Sequence, residues 1–333
     1  MKWLRKRPEE SSRQRPDQTY GLFYASDVHG SEQCWRKFLG AGRFYGVQAL
    51  IMGGDITGKA IVPVEKHSDG SYSATLMGEI RRAKTSEQLE QLLEAIRLNG
   101  MYPWIASSME IALHRNDMSA QNALFERVMV DEVKRWVTLA DERMAAHGID
   151  VFMMAGNDDP WSVDQAIAQG TYVQFCDDRV LRVGNHEMIS LSYANPTPWN
   201  SPRELDEEAL YHRIRRLADQ LEEPRRAIFN LHVPPYDSGL DRAHQINPEN
   251  LTRVYKSGVA VEIPVGSHAV RQIIEEYQPL LALHGHIHES RGETHIGKTL
   301  AINSGSEYNS GRIHGVVVRL GDTEVVSHQF VTG

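Results

Sequence analysis

The sequence has few cysteines, no long apolar segment and no excess of basic residues. Cys34 and Cys176 are its only two cysteines, so a disulfide framework and a thiolate cage of three or four sulfur ligands are both excluded. A bound metal must therefore use nitrogen and oxygen ligands. With 36 basic and 44 acidic side chains, the net charge is −8. This balance argues against non-specific coating of nucleic acid, which depends on a basic surface.

The chain also lacks the apolar run of roughly 18 residues or more that a membrane span requires. Residues 1–18 mix basic, acidic, serine and proline residues without periodicity, and they contain no apolar core of a signal peptide. We therefore expect a cytoplasmic protein without a membrane span. We predict a mobile N-terminal arm at 1–18, followed by one domain at 19–333.

Apolar segments that alternate with helical patterns predict an α/β fold. The apolar segments end at polar or glycine-rich positions and are typical of buried strands; they cover residues 21–26, 47–52, 149–155, 227–231 and 280–283. Between the second and third of them, residues 59–148 change character. An Asp-Gly turn at 69–70 predicts a small hairpin there, and two helical patterns follow it. We interpret 59–148 as a mainly helical insertion.

Each of the five apolar segments ends in residues that can bind a metal ion. These residues are Asp27 with His29, Asp55, Asn157, His232, and His286 with His288. In open α/β sheets ligands bind beyond the carboxyl ends of the strands, so the five groups are expected to converge. Carboxylate, imidazole and amide groups suit divalent cations, and their number exceeds the need of one tetrahedral ion. Two ions that share one carboxylate would use them all.

The spacing within two of the groups predicts how they bind. Asp27 and His29 are two residues apart, so an extended strand end would point both side chains to the same face. His286 and His288 have the same spacing. We therefore expect each pair to lie on one face of its strand end.

In this order, the motifs DVH, GGD, GND, a lone His and GHIH resemble those of the calcineurin-like metallophosphoesterases, a superfamily that includes the class III cyclic nucleotide phosphodiesterases. The resemblance implies a four-layer α/β/β/α sandwich with two divalent metal ions. It assigns Asp27, His29 and His288 to the first ion, and Asn157, His232 and His286 to the second, with Asp55 bridging. Manganese, iron, zinc, cobalt and nickel all accept this mixture of ligands.

The same resemblance implies a hydrolase that acts on phosphoric ester bonds, in which a hydroxide between the two ions attacks phosphorus in line. The expected substrate is a small phosphate ester, with a diester favoured over a monoester and nucleic acid not favoured. His29, Asn157 and Asp158 are the candidate catalytic residues. Two alternatives are a non-catalytic metal-binding scaffold of the same fold and a mononuclear iron oxygenase, although the latter uses too few of the ligands. A homo-oligomer remains open.

Asp158 departs from the family pattern, because metallophosphoesterases usually have His after the metal-binding Asn. An ionised carboxylate there would repel an anionic substrate, and an acid near pH 7 would need a raised pKa. The alternative is that Asp158 orients another residue. Residues 184–187 (GNHE) match the usual tetrapeptide better than residues 156–159 do, but their position between two apolar segments predicts a hairpin turn. We therefore assign the ligand role to Asn157.

Three further expectations concern the surroundings of this site. The turn-rich loop 195–199 is a candidate border of the site. Ser201, Pro202 and Glu204 together predict that a helix begins there, as N-cap, N1 proline and N3 glutamate. His284 lies beside the GHIH ligands but out of register with them, so a packed or supporting role is expected.

Overall fold

The structure is a computed structural model that describes residues 19–115 and 117–333. The N-terminal arm predicted at 1–18 lies outside the described residues. Within the described ranges, no helix combines the length and the apolar character needed to cross a lipid bilayer.

The described residues form seven α-helices and twenty strands. The helices are α1 (Glu32–Phe44), α2 (Ser86–Leu98), α3 (Ser108–Arg115), α4 (Met118–Ala145), α5 (Ser162–Ala168), α6 (Glu207–Ala218) and α7 (His268–Tyr277). The strands are β1 (Tyr20–Ala25), β2 (Ala49–Met52), β3 (Ile61–Lys66), β4 (Tyr72–Leu76), β5 (Glu79–Ala83), β6 (Tyr102–Ser107), β7 (Asp150–Met153), β8 (Gln174–Phe175), β9 (Arg179–Val183), β10 (His186–Leu191), β11 (Ile228–Leu231), β12 (Arg242–His244), β13 (Tyr255–Lys256), β14 (Val259–Ala260), β15 (Glu262–Pro264), β16 (Leu281–His284), β17 (Gly292–Ile296), β18 (Thr299–Asn303), β19 (His314–Leu320) and β20 (Val325–Thr332).

Two six-stranded sheets form the centre of the molecule. The first has the order β20-β19-β1-β2-β7-β8, and the second has the order β17-β18-β16-β11-β10-β9. In the first sheet β1, β2 and β7 run parallel, and in the second β10, β11, β16 and β18 do. Since parallel strands end at the same edge, the loops that follow them are brought together.

The core consists of three layers of apolar contacts. Because alternate residues of a strand face opposite sides, Leu22 and Tyr24 pack between the two sheets while Phe23 packs against helices α1 and α4. The outer face of the second sheet packs on α6 and α7 through residues such as Leu210 and Ile273. The resulting layer order is α/β/β/α, so the predicted fold class is confirmed.

Residues 59–148 form a four-stranded sheet as well as helices. Its strand order is β5-β4-β3-β6, and a turn at 67–71 joins β3 to β4 as an antiparallel hairpin. Helix α2 packs on this sheet, whereas α4 continues into the main core, where Trp136 stacks on Trp35 of α1 at 5.0 Å between ring centroids.

The prediction of a helix start at Ser201 is wrong. Helix α6 begins at Glu207, and its N-cap is Asp206, which accepts a hydrogen bond from the Ala209 amide at 2.8 Å. The Ser201 amide does donate to Glu204 Oε1 at 2.9 Å, as in a capping box. That bond stabilises a loop and does not begin a helix, because the neighbouring Arg203 is buried and bonds to Asp164 of α5.

Candidate metal centre

All seven predicted ligands lie together beyond the carboxyl ends of the two sheets. Three groups of residues each have metal-binding atoms within 4.8 Å of one another, and one of the three, which consists of His29, Asp55 and Asp158, overlaps the other two. The first cluster is Asp27, His29 and His288, and the second cluster is Asp55, His232 and His286. Asn157 adjoins the second cluster, since its Oδ1 lies 3.0 Å from His232 Nε2.

Asp55, a member of the second cluster, also faces the first cluster. One of its carboxylate oxygens is 3.7 Å from His29 Nε2, and the other is 3.4 Å from His232 Nε2. Two cations held by the two clusters could therefore both reach this carboxylate, in keeping with the bridging role that the sequence resemblance implied.

The backbone explanation for the paired ligands is wrong, although their side chains do converge. Strand β1 ends at Ala25, and Asp27 and His29 have φ values of 57° and 39° instead of extended ones. His286 has a φ of 65°, and its side chain belongs to the second cluster, whereas that of His288 belongs to the first. Asp27, His29 and His286 are thus oriented by backbone in the left-handed region and not by strand alternation.

Hydrogen bonds fix which atoms of the second cluster face inward. His232 donates from Nδ1 to the Gly53 carbonyl at 2.9 Å, so its Nε2 points toward Asp55 and Asn157. The Asn157 amide nitrogen donates to Ser201 Oγ at 2.7 Å, which leaves its oxygen directed at His232. The segment that failed to begin a helix therefore orients a candidate ligand.

Burial and the nearby charges shift the pKa values of the buried residues in the centre. Burial disfavours a charged His232, but the nearby Asp55 carboxylate outweighs it and raises the pKa of His232 to about 10. Burial lowers the pKa of His286 to about 4, so this ring is neutral near pH 7 and has a free lone pair. Burial alone would raise the pKa of Asp55, but the surrounding histidines hold it below its usual range.

These residues fit divalent cations. In the first cluster His29 Nε2 and His288 Nε2 are 3.2 Å apart, and an Asp27 oxygen lies 3.4 Å from His288 Nε2. In the second cluster His232 Nε2 faces oxygens of Asn157 and Asp55, at 3.0 and 3.4 Å. Opposed lone pairs at these distances repel unless a proton or a cation lies between them, and imidazole with carboxylate suits first-row divalent metals.

Glycines next to the ligands allow the loops to approach so closely. A Cβ at Gly285 would collide with the Asp27 carboxylate and with Ser26 Oγ, and a Cβ at Gly156 would collide with the Asp55 carboxylate. Glycine is therefore required at both positions, because any side chain there would overlap a candidate ligand.

Asp159 and Arg203 hold the loop that carries Asn157. Asp159 is buried and accepts hydrogen bonds from the amides of Ile56, Thr57 and Gly156 at 2.8 to 3.0 Å. Burial, followed by the charge of Asp55, raises the pKa of Asp159 to about 6. Arg203 is fully buried and donates to the Asp159 carbonyl at 3.0 Å. The loops after β2 and β7 are thereby tied to each other.

Asp158 is bound to a residue that the sequence analysis did not identify. Its Oδ2 accepts a hydrogen bond from Lys59 Nζ at 2.7 Å, and its amide donates to Asp55 Oδ1 at 3.1 Å. Burial opposes the charge on Lys59, but the contact with Asp158 raises the pKa of this ammonium group. The only available signal was a basic residue four positions after Asp55, which is too weak to interpret alone.

Two cavities flank the clusters. The larger, of about 710 Å³, includes Trp199 and the rest of the loop 195–199 in its wall, so this loop borders the site as expected. The smaller, of about 410 Å³, lies beside Tyr308, whose ring is 4.6 Å from that of His29. His29 and Lys59 line both cavities. Nothing in the sequence distinguishes Tyr308 from other surface tyrosines.

His186 and His284, which the sequence analysis did not assign as metal ligands, belong to neither cluster. Residues 184–185 form the turn of the β9–β10 hairpin, and His186 bonds to the Arg226 carbonyl at 2.8 Å. His284 is buried at the end of β16, where it donates to the Leu231 carbonyl at 2.8 Å. Both findings agree with the sequence predictions.

Comparison with known proteins supports the fold. No family model matches the sequence. An uncharacterised protein of Methanocaldococcus jannaschii is 30% identical over 130 residues, which are 38% of this chain and 51% of that protein. The similarity therefore spans about half of the relative's length.

Solved structures align over almost the whole chain. The protein TT1561 of Thermus thermophilus has a TM-score of 0.52 at 13% identity, covering 95% of this chain and 98% of that chain. A dimetal phosphatase from Danio rerio has a TM-score of 0.42 at 11% identity, covering 95% and 99% respectively. The second value is below 0.5 and adds nothing to the assignment. At such identities the similarity to TT1561 concerns the fold alone.

Proposed function

We propose that this protein is a dinuclear metal-dependent phosphoesterase. The observation that carries the proposal is the convergence, from the ends of both sheets, of two groups of donor atoms with Asp55 between them. Asp27, His29 and His288 would hold one ion, and Asn157, His232 and His286 would hold the other. When bound, two such ions supply a water of lowered pKa and positive charge for the phosphoryl oxygens.

The chain's own residues would orient both the ligands and the substrate. Ser201 holds the Asn157 amide so that its oxygen faces the second cluster. His29 lines both cavities, which puts it within reach of a bound ester. The Asp158 carboxylate is already engaged by Lys59 at 2.7 Å, which favours a role in orienting that neighbour over a role as general acid.

A phosphodiester is the substrate class that we favour. A diester carries two organic groups on phosphorus, and the two cavities, of about 710 and 410 Å³, are both lined by His29 and Lys59. The larger cavity has an apolar and aromatic wall that includes Trp199, Ile246 and Ile263. Such a wall suits a bulky or aromatic alcohol group, as in a nucleotide or an aryl ester.

The test is hydrolysis of an aryl phosphodiester and the matching monoester by metal-reconstituted protein, together with the metal content per chain. We expect faster cleavage of the diester. Asp55→Ala and His286→Ala should each reduce hydrolysis by at least about 100-fold, because changes even in the residues that support metal ligands cost 10- to 100-fold.

His295→Ala is the matched control, since His295 lies exposed on β17 and lines neither cavity. Full hydrolysis by His286→Ala would contradict the proposal. Two bound ions without cleavage of any ester in a broad screen would favour the non-catalytic scaffold instead.

A further inference from the structure

We propose that Lys59 binds the phosphoryl oxygens of the substrate and that Asp158 is the residue that positions it. This inference rests on the proposed function, which it deepens by assigning the group that recognises the anion. It concerns residues outside the metal-ligand sets.

The first support is the distance of Lys59 from the centre. Its ammonium group donates to Asp158 Oδ2 at 2.7 Å, and a carboxylate oxygen of Asp158 lies within 4.8 Å of donor atoms of His29 and Asp55. The Asp158 amide also donates to Asp55 Oδ1 at 3.1 Å. Lys59 is therefore separated from the candidate bridging residue by one side chain.

The second support is charge. The carboxylates of Asp27, Asp55 and Asp158 all belong to clusters at this site, and a phosphate ester is itself an anion. Asp158 would repel such a substrate if it were unpaired. The ion pair with Lys59 cancels this charge, and an ammonium group has three N–H donors, so donors remain for phosphoryl oxygens beside the one bound to Asp158.

The third support is the position of Lys59 between the cavities. Lys59 and His29 are the residues that line both of them, so a phosphoryl group with a substituent in each cavity would lie beside these two side chains. The Lys59 side chain is 60% exposed. Exposed ion pairs contribute little to folding, so stability alone does not explain the contact.

The loop that presents Lys59 is held firmly. The Gly58 amide donates to the Tyr102 hydroxyl at 2.6 Å, and Thr57 donates from its amide and its hydroxyl to Asp159 at 2.9 and 2.6 Å. Tyr102 and Asp159 are both buried. The start of the Lys59 side chain is thus fixed, while its ammonium group remains accessible.

The experiment measures inorganic phosphate binding to the metal-loaded protein by calorimetric titration, alongside KM and kcat for an aryl phosphodiester. The variants are Lys59→Met and Lys59→Arg. Lys66→Met is the matched control, because Lys66 lies exposed on the same insertion and lines neither cavity. We expect Lys59→Met to weaken phosphate binding about 10- to 100-fold, the range for hydrogen bonds to charged groups.

The same variant should raise KM with unchanged metal content and Tm, while Lys59→Arg should retain most of the affinity and Lys66→Met all of it. Asp158→Ala tests the positioning role. If Asp158 positions Lys59, the loss caused by Lys59→Met should be smaller in the Asp158→Ala background; independent, additive losses would contradict that role.

The outcomes separate this inference from the proposed function. Unchanged phosphate affinity in Lys59→Met, or no phosphate binding by the wild-type protein, overturns the inference. If hydrolysis requires Asp55 but not Lys59, the protein is still a phosphoesterase, and only the proposed role of Lys59 is contradicted. If phosphate binding depends on Lys59 but no ester is hydrolysed, the anion-binding role of Lys59 is supported and the proposed phosphoesterase activity is contradicted.

Discussion

At the scale of single residues, four candidate ligands share an unusual backbone conformation. Asp27, His29, Asp55 and His286 all have positive φ values, between 39° and 65°. Residues other than glycine pay of order 1–3 kcal/mol for such conformations, which persist where the surroundings enforce them. Here the His29 amide donates to the Asp55 carbonyl at 3.0 Å, and the His286 amide donates to the Asp27 carboxylate. Strain of this kind gathered at one place supports a functional role for these residues.

Gly285 offers a direct test of the close packing around Asp27. In Gly285→Ala the new methyl group would overlap the Asp27 carboxylate, so the carboxylate or the loop must move. We expect weaker metal binding and a loss of hydrolysis of about 100-fold, the cost of a displacement near 1 Å. Metal content per chain and kcat/KM measure the effect.

Gly292→Ala is the corresponding control. A Cβ at Gly292 would have its nearest contact at 3.6 Å, with Leu240 Cδ2, which is an ordinary van der Waals distance. This variant should bind metal and hydrolyse esters as the wild type does. Normal activity in Gly285→Ala would show that Asp27 need not stay where the structure has it.

The sequence predicted which candidate ligands lie together, but not which contacts hold their side chains in place. Asp27 and His232 were identified because each follows an apolar strand. The contacts of Ser201 with Asn157 and of Lys59 with Asp158 join residues 44 and 99 positions apart. No local pattern encodes such contacts, because they depend on how the loops fold against one another.

At the scale of elements, local signals predicted helices well wherever tertiary contacts agreed with them. Thr85 and Gln88 have the spacing of a capping box, and Thr85 does cap α2 by accepting a hydrogen bond from the Gln88 amide at 3.2 Å. At Ser201 the same kind of pattern failed. Arg203 donates to Asp164 at 2.7 Å and to the Asp159 carbonyl. These charge-assisted hydrogen bonds of the buried guanidinium stabilise the loop more than a helical turn at Ser201 would.

Glu32 connects helices α1 and α4. Its carboxylate accepts hydrogen bonds from Arg36 Nε and from Trp136 Nε1, each at 2.7 Å, and from Arg135. Burial alone would raise the pKa of Glu32, but Arg135 and the other donors outweigh it and lower the pKa. A lowered pKa means that the folded state favours the ionised form, so the carboxylate stabilises the protein above the unfolded-state pKa.

We therefore expect Glu32→Gln to destabilise the protein by about 1–3 kcal/mol near pH 7, because the amide has no charge and offers one acceptor oxygen where the carboxylate offers two to Arg36, Arg135 and Trp136. The difference from the wild type should shrink as the pH falls below roughly 4.3, the usual glutamate pKa, and through the lower folded-state value. Urea unfolding from pH 7.5 to pH 3.5 measures it. Glu275→Gln, at an exposed i,i+4 pair with Arg271, should change stability little. A pH-independent effect of Glu32→Gln would contradict this account.

At the scale of the whole molecule, the layer order was implied by the resemblance to the metallophosphoesterases. Only the convergence of the candidate ligands followed from the residues themselves, because ligands of open α/β sheets lie beyond the carboxyl ends of the strands. The sequence analysis did not predict the four-stranded sheet within 59–148. Its strands β4 and β5 are half-exposed and short, so their alternation is weak and the stronger helical periodicity dominated the prediction. Only the Asp-Gly turn at 69–70 indicated a hairpin there.

Metal binding should stabilise the folded chain as a whole. The donor atoms are assembled from distant positions, so the unfolded chain has no equivalent site, and binding to the folded state alone raises its stability. We expect a gain of about 2.7 kcal/mol at a free metal concentration 100 times Kd. Thermal unfolding after chelation and after metal is restored measures this as a reversible shift of several degrees.

Asp55→Asn should reduce that shift, because it removes the carboxylate shared by the two clusters. A Tm that is the same with chelator and with excess metal, in a protein shown to bind two ions, would contradict the expectation.

The division of the ligands between the sheets has a mechanical consequence. Asp27, His29, Asp55 and Asn157 come from loops of the first sheet, and the other three candidate ligands, all histidines, come from loops of the second. Any sliding of one sheet over the other would pull the two halves of the coordination shell apart. A pair of ions held there would act as a clamp across the sandwich, so catalytic competence and the rigidity of the interface between the sheets should rise and fall together.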